Sequence, residues 1–317
     1  RSLLNRIGKT SDTASANKAI AGQPKAERKG DGGTQAVEAG KAARPAPMPP
    51  IDTSTYGCVT SLERLDHWIS EATKAGVVGF DTETDSLEAV TARLVGFSLA
   101  TAPGKACYVP LGHGGTDMFA EKPEQIPLDA ALARLKPLLE DESVLKVGQN
   151  LKYDMSVLRQ HGLTICPFDD TMVMSFTLDA GRQGHGMDEL SELYLGHKPI
   201  SYKSLTGTGK NQIGFAEVPL VEATKYAAED ADVTLRLWHH LKLRLSPEKG
   251  TRVYELVDRP LVPGLSQMEC AGVMVDRAVD REALARRIAM PPAHVVAVHE
   301  ELGHALGDLH HRRLAAV

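Results

Sequence analysis

Asp81 and Glu83 stand two apart in Gly79-Phe80-Asp81-Thr82-Glu83-Thr84, Asn150 and Asp154 four apart in Gln149-Asn150-Leu151-Lys152-Tyr153-Asp154, and Tyr226 and Asp230 four apart in Tyr226-Ala227-Ala228-Glu229-Asp230. Carboxylates in such groups suit hard divalent cations, which prefer oxygen ligands. The first pair follows the apolar run Val77-Val78-Gly79-Phe80, which predicts a buried strand, and residues two apart on a strand share a face. Asp81 and Glu83 can therefore grip one ion. The other two pairs lie in segments of helical pattern, where residues i and i+4 stack on one side. Four carboxylates and a phenol could then meet in one cleft.

The elements that must position them follow from periodicity and turn signals. From Ile51 the chain predicts a helix over 61–75, then strands over 77–81, 94–100 and 106–110 whose separators carry the turn signals of an antiparallel meander. A helix over 128–140, a strand over 144–147 and a helix opened by Asn150, a favoured N-cap residue, come next. Helices over 171–178, 187–195 and 221–245 complete the order, which fits a mixed sheet with helices on its faces. Residues 9–50 are rich in Ala, Gly, Pro, Lys and Ser, contain no aromatic residue and end in Arg44-Pro45-Ala46-Pro47-Met48-Pro49-Pro50. That composition buries too little apolar area to offset chain entropy, so 1–50 reads as a disordered, flexible linker. Ser2-Leu3-Leu4-Asn5-Arg6-Ile7 before it looks like the end of a helix from an upstream domain.

Composition narrows the class. The 317 residues are 42% hydrophobic and 24% charged, an ordinary globular balance. No apolar run approaches the ~18 residues of a spanning helix, and no secretory signal precedes residue 50, so the cytoplasm is the expected compartment and no membrane the expected partner. Cys58, Cys107, Cys166 and Cys270 are scattered singly, which argues for reduced thiols and against a zinc or disulfide frame. The net charge of −5 divides into +5 over residues 1–50, from nine Lys/Arg and four Asp/Glu, and −10 over the rest. An acidic body does not exclude nucleic acid, because cations held by carboxylates supply positive charge for phosphate.

Phe80-Asp81-Thr82-Glu83-Thr84-Asp85-Ser86-Leu87, Gly148-Gln149-Asn150-Leu151-Lys152-Tyr153-Asp154 and Tyr226-Ala227-Ala228-Glu229-Asp230-Ala231-Asp232-Val233-Thr234-Leu235 resemble, in order and separation, the three exonuclease motifs of bacterial DNA polymerase I. The resemblance covers roughly residues 56–280 and implies an α/β, ribonuclease H-like (DnaQ-like) mixed sheet flanked by helices. It divides the chain into the linker over 1–50, a 3′–5′ exonuclease domain over 51–246, the beginning of a polymerase domain over 247–290 and an unassigned tail over 291–317, the last parts forming a short helical piece. By the same resemblance two divalent ions, Mg²⁺ or Mn²⁺ with Zn²⁺ acceptable at one site, act in phosphodiester hydrolysis. Asp81 would bridge them, Glu83 and Asp230 complete one, Asp154 hold the second through water, and Tyr226 orient the attacking water. For the substrate, a single-stranded or frayed 3′ end of DNA, it implies Leu87 as an apolar wedge between terminal bases and Tyr202 as a stacking ring. Gln149, Asn150 and Lys210 would contact sugar and phosphate. The expected particle is a monomer.

Any one of these pairs alone would read as ordinary surface residues; their coincidence beside buried runs makes a site, since buried charge must be paired or metal-bound. Asp85, Glu229 and Asp232 point elsewhere by spacing and are expected at the solvated surface. Gly207-Thr208-Gly209-Lys210-Asn211 lacks the glycine spacing and final hydroxyl of a phosphate loop, and His299 and His304 stand five apart where a zinc-protease helix needs four. Residues 252–276 look like the opening of a polymerase domain, but Val298-His299-Glu300-Glu301-Leu302 carries Glu where the palm has Asp, so no polymerisation is expected. Two rivals share the residues: a catalytically inert DNA-binding fragment, and an RNA-trimming exonuclease of the same subclass.

Overall fold

Strand β2 (Val77–Thr84) carries the first carboxylate pair and lies inside the sheet, with β3 (Leu94–Ala102) antiparallel on one side and β5 (Leu145–Gly148) parallel on the other. The computed structural model describes residues 48–114, 123–209 and 212–272; the expectations for the linker over 1–47, for Lys210 and for the tail from 273 onward lie outside the described residues. The sheet order is β1-β4-β3-β2-β5-β6, with β1 (Gly57–Cys58), β4 (Lys105–Pro110) and β6 (Phe168–Asp170) as the remaining members. Pairs β1/β4, β2/β5 and β5/β6 are parallel and β2/β3/β4 form the expected antiparallel meander, so the sheet is mixed.

The two faces of β2 are written in its alternation. Val78 and Phe80 face a core made with α1 (Leu62–Ala75), α2 (Leu128–Glu140) and α3 (Leu151–Arg159), in which Leu65, Ala72, Leu135 and Val157 are fully buried. Val77, Gly79, Asp81 and Glu83 belong to the opposite face, covered by the long helix α7 (Leu220–Leu245) through Ala228, Ala231 and Leu235. Helices α4 (Thr171–Asp179), α5 (Met187–Leu195) and the short α6 (Tyr202–Thr206) stand beside α7. Among the described residues no helix is long and apolar enough to cross a membrane.

Small residues set how near α7 comes to the sheet. A Cβ on Gly79 would lie 2.5 Å from the carbonyl oxygen of Ala231 and 3.2 Å from the Cβ atoms of Ala100 and Leu235. Glycine is required there because helix backbone occupies the side-chain position. A second close fit occurs at Gly96, whose missing side chain is replaced by the Tyr108 ring. Tyr108 in turn hydrogen-bonds Nε2 of His113 at 2.8 Å and meets Phe215 edge-on.

The last described helix, α8, begins at Thr251–Val253, passes through a π-helical turn at Tyr254–Asp258 and continues as Arg259–Ala271. It docks through Asp169, a carboxylate with no solvent exposure. Asp169 accepts from the Tyr254 hydroxyl at 2.9 Å and from Trp238 Nε1 at 2.7 Å, and pairs with Lys242 at 2.9 Å and Arg259 at 3.1 Å. Further along, Ser266 hydrogen-bonds Ser156 at 2.9 Å, and Glu269 pairs with Lys152, so α8 lies against the helix that bears Asp154.

The expected strands and helices agree in place with those observed to within a few residues. Two edge strands, β1 and β6, were not expected from the sequence because they span only two and three residues. Asn150 stands at the N-cap of α3 as expected, but its side chain makes no capping bond and its backbone is left-handed at φ 60 and ψ 44. Glu229 and Asp232 are corrections to the expected surface placement. Glu229 is 1% exposed and accepts from His197 Nε2 at 2.8 Å and from the Ile200 amide at 2.6 Å. Asp232 is fully buried and accepts from the Tyr56 hydroxyl at 2.7 Å, the Gly104 amide at 2.9 Å and Arg236 at 3.0 Å. Helical spacing separates them from Asp230 but does not turn them toward water, because loops and the sheet cover every side of α7 here.

Two expected outcomes follow from this packing. Gly79→Ala should lower stability by about 1–3 kcal/mol in urea denaturation, the usual range for forcing volume into a filled site. His113, whose burial pushes its pKa down to about 4, is held neutral in the fold. A depressed histidine leaves the unfolded chain binding more protons, so its contribution to stability is present above about pH 6.5 and fades as the pH falls toward 4. Unfolding free energies followed over that window should converge between wild type and His113→Gln as the pH drops.

Candidate metal and nucleic-acid site

At the C-terminal end of β2 the sheet opens. Strand β5 pairs with β2 only from Val77 to Gly79, so the backbone of residues beyond Gly79 has no strand neighbour on that edge. Helix α3 takes the vacated place. The Thr82 amide, which a strand would otherwise have accepted, donates to Oδ1 of Asp154 at 2.9 Å, and the Thr82 hydroxyl donates to the same oxygen. Alternation places Thr82 on the α3 side and Asp81 and Glu83 on the α7 side, so β2 carries ligand-type groups on one face and a ligand-holding group on the other.

Across from Asp81 and Glu83, α7 presents Tyr226 and Asp230 one turn apart. Oxygens of Asp81, Glu83 and Asp230 lie within 4.8 Å of one another. Asp81 keeps partial exposure, while Glu83 is 7% and Asp230 6% exposed. Burial is the first cause that raises the pKa of all three above the usual carboxylate range. Repulsion follows, from Asp154 and Asp230 on Asp81, from Asp81 and Asp154 on Glu83, and from Glu83 and Glu229 on Asp230. Burial likewise pushes Asp154 up to about 7, opposed by its bonds to Thr82. The Tyr226 phenol is held protonated by burial and by the neighbouring charges of Asp230, Glu83 and Asp81.

These groups fit a divalent cation. Glu83 Oε1 and Asp230 Oδ1 are buried without any hydrogen-bond partner, a costly state for carboxylate oxygen unless a positive ion answers it. The donor set is all oxygen, which selects hard ions of the Mg²⁺ or Mn²⁺ type over soft ones.

Around the carboxylates lies a cleft of about 590 Å³. Every described residue expected at the site lines it: Asp81, Glu83, Leu87, Gln149, Asn150, Asp154, Tyr202, Tyr226 and Asp230. Leu87 is 98% exposed at its rim, on a loop tied down by Tyr153, whose hydroxyl donates to the Ser86 carbonyl and bonds the Thr84 hydroxyl. Opposite, Tyr202 stacks on Phe215 with centroids 6.2 Å apart, and Phe215 meets Tyr226 at 5.8 Å, so both tyrosines are set by the column that begins at Tyr108. Lys203 also lines the cleft and was not singled out from the sequence; Gln212, from the polar Lys210-Asn211-Gln212 stretch that the sequence suits to backbone contact, lines it too. Thr82 escaped notice as well, though its place between two ligand-type residues on an alternating strand was a signal.

The fold and site together define a ribonuclease H-like nuclease domain with a carboxylate centre. A sequence model described as 3′–5′ exonuclease matches residues 56–246, and the chain belongs to that exonuclease family of DNA polymerase I. Over 243 residues it is 52% identical to DNA polymerase I of Rhizobium leguminosarum, covering 73% of this chain and 24% of that protein. It is 42% identical over 226 residues to DNA polymerase I of Pseudomonas aeruginosa, covering 70% of this chain and 24% of the relative. The chain thus spans about a quarter of the length of these relatives. Among solved structures, the POL domain of Pol1 from M. smegmatis in complex with DNA primer-template and dNTP superposes with a TM-score of 0.55 at 19% identity, over 73% of this chain and 35% of that one. The catalytic core of RRP6 from Trypanosoma brucei gives 0.53 at 14% identity, over 82% and 65%. These two likenesses establish the fold.

Crowding of like charge gives the site a measurable signature. Asp230→Asn removes one buried negative charge and should raise the melting temperature of the metal-free protein by about 2–4 °C, the shift expected for roughly 1 kcal/mol in a domain of this size. Adding Mn²⁺ should raise the melting temperature of the wild type and leave that of Asp230→Asn nearly unchanged in differential scanning fluorimetry.

Proposed function

We propose that this chain removes nucleotides from the 3′ end of single-stranded or frayed DNA by hydrolysis, as the proofreading module of a DNA polymerase I. The observation that carries the reading is the convergence of Asp81, Glu83 and Asp230, with two orphaned buried oxygens, beneath a rim formed by Leu87 and Tyr202. Two divalent ions, Mg²⁺ or Mn²⁺, would be held by Asp81, Glu83, Asp154 and Asp230. Bound there, they supply Lewis-acid stabilisation of the phosphate charge and lower the pKa of water.

The protein's own groups do the rest. Water adds to the terminal phosphorus, the bond from phosphorus to the 3′ oxygen breaks, and a nucleoside 5′-monophosphate leaves. The Tyr226 hydroxyl, fixed as a neutral donor, orients the attacking water. Leu87 and the Tyr202 ring hold the terminal bases apart from their neighbours, a sequence-tolerant grip suited to any 3′ end. Gln149 and Asn150 contact sugar and phosphate, and Lys203 and Lys210 add positive charge near the strand. DNA rather than RNA is favoured by six relatives more than 30% identical to this chain, each named DNA polymerase I. In this reading residues 51–246 are the exonuclease domain, and 247–290 begin the polymerase domain.

Labelled single-stranded DNA and RNA incubated with Mn²⁺ test the reading. Stepwise 3′ shortening of DNA should stop with EDTA and fall at least about 10³-fold in Asp81→Ala, the several kcal/mol that a lost metal site removes. Tyr226→Phe should slow the reaction roughly 10- to 100-fold with little change in DNA affinity, the effect of one donor lost in the transition state. Cleavage that persists in Asp81→Ala rejects the site; binding of DNA without any shortening supports the inert-fragment alternative.

A further inference from the structure

Asp170 has two structural jobs. Standing before Thr171, it caps its own helix α4: Oδ1 accepts from the Met172 amide at 2.9 Å and the Val173 amide at 3.2 Å. The same carboxylate, 1% exposed, also reaches across to the turn between β5 and α3. There Oδ2 accepts from the Leu151 amide at 2.7 Å and Oδ1 from the Asn150 amide at 3.2 Å. Two helix N-termini are thus capped by one side chain, and α3 has no cap of its own because the Asn150 side chain makes none.

Its neighbours hold the same turn. The Thr171 hydroxyl donates to the Gly148 carbonyl at 3.1 Å and bonds Gln149 Oε1, while Gln149 Nε2 donates to the His185 carbonyl at 2.8 Å. The Asp170 amide donates to the Tyr254 hydroxyl at 3.0 Å, which fixes the strand position from which the carboxylate reaches. Asp154 lies one turn beyond Leu151 on α3, so the start of that helix sets where its carboxylate stands.

We infer that Asp170 is a positioning residue for the exonuclease reaction: by capping α3 from outside, it fixes the left-handed Asn150 turn and the placement of Asp154 while leaving the Asn150 side chain in the cleft. The inference rests on the hydrolytic reading above. A carboxylate serving only as the cap of α4 would not need Oδ2, which bonds nothing on α4.

Two variants separate the two jobs. Asp170→Ser retains a side-chain acceptor for the α4 amides but is too short to reach Leu151. Asp170→Asn is isosteric and keeps one oxygen for the α4 cap, with an amide nitrogen replacing one of the two acceptors. Measured on single-stranded DNA with Mn²⁺ as the probe metal, kcat per folded molecule should fall about 10- to 100-fold in both, the range seen when a group orienting a metal ligand is lost. KM for DNA should stay within about threefold, and half-saturation should need more Mn²⁺. A purely structural role would lower the melting temperature and leave kcat per folded molecule at the wild-type value, which overturns the inference. Should Asp170→Ser fail to fold, Asp170→Asn decides alone. Asp81→Ala serves as the control: if it is inert while the Asp170 variants keep wild-type kcat, only the positioning role fails, and if it remains active the hydrolytic reading fails with it.

Discussion

Burial of several negative charges at one end of a strand is the constraint around which this protein is arranged. Without a cation, Asp81, Glu83 and Asp230 repel one another in surroundings that already disfavour charge. They are brought together by packing, not by mutual attraction. The approach of α7 to β2 is fixed by backbone against backbone at Gly79 and Ala231, a contact that no rotamer change can relax. Hydrophobic burial on both faces of the sheet therefore works against electrostatic repulsion at its open end, a tension common at functional sites.

The parts of the site differ in how they are held. Asp81 and Glu83 are integral to a central strand, and Asp230 sits midway along a helix of 26 residues. Asp154 belongs to a helix of nine residues that begins in a strained turn and depends on Thr82, Asp170 and the flank of α8 for its position. Rigidity is intrinsic for three ligand-type groups and borrowed for the fourth. The borrowed support reaches into α8, so the segment that follows the matched exonuclease residues is bonded into the same framework through Asp169, Tyr254 and Ser266.

The amino-acid sequence made the ligand-type residues legible, because strand and helix periods dictate which side chains share a face. Asp81 with Glu83 and Tyr226 with Asp230 needed only those periods, and the central strands and helices needed only apolar pattern and turn residues. Legibility failed where a partner comes from a distant segment. Glu229 and Asp232 read as surface charge, since nothing local announces that His197, Ile200, Tyr56 and Arg236 will enclose them. Asn150 read as a cap from composition, yet the capping group lies 20 residues downstream. The very short strands β1 and β6 carry too few residues for any period to be seen.

Leu87 and Tyr153 carry one more consequence. An apolar side chain that is almost wholly in water is usually mobile, but here the backbone just before it is anchored by the Tyr153 hydroxyl on Ser86. Conformational entropy of that loop has been surrendered when the chain folds, before any nucleotide arrives. A strand end that meets the leucine therefore finds a rim already shaped, and the affinity it gains is not diminished by having to order the loop.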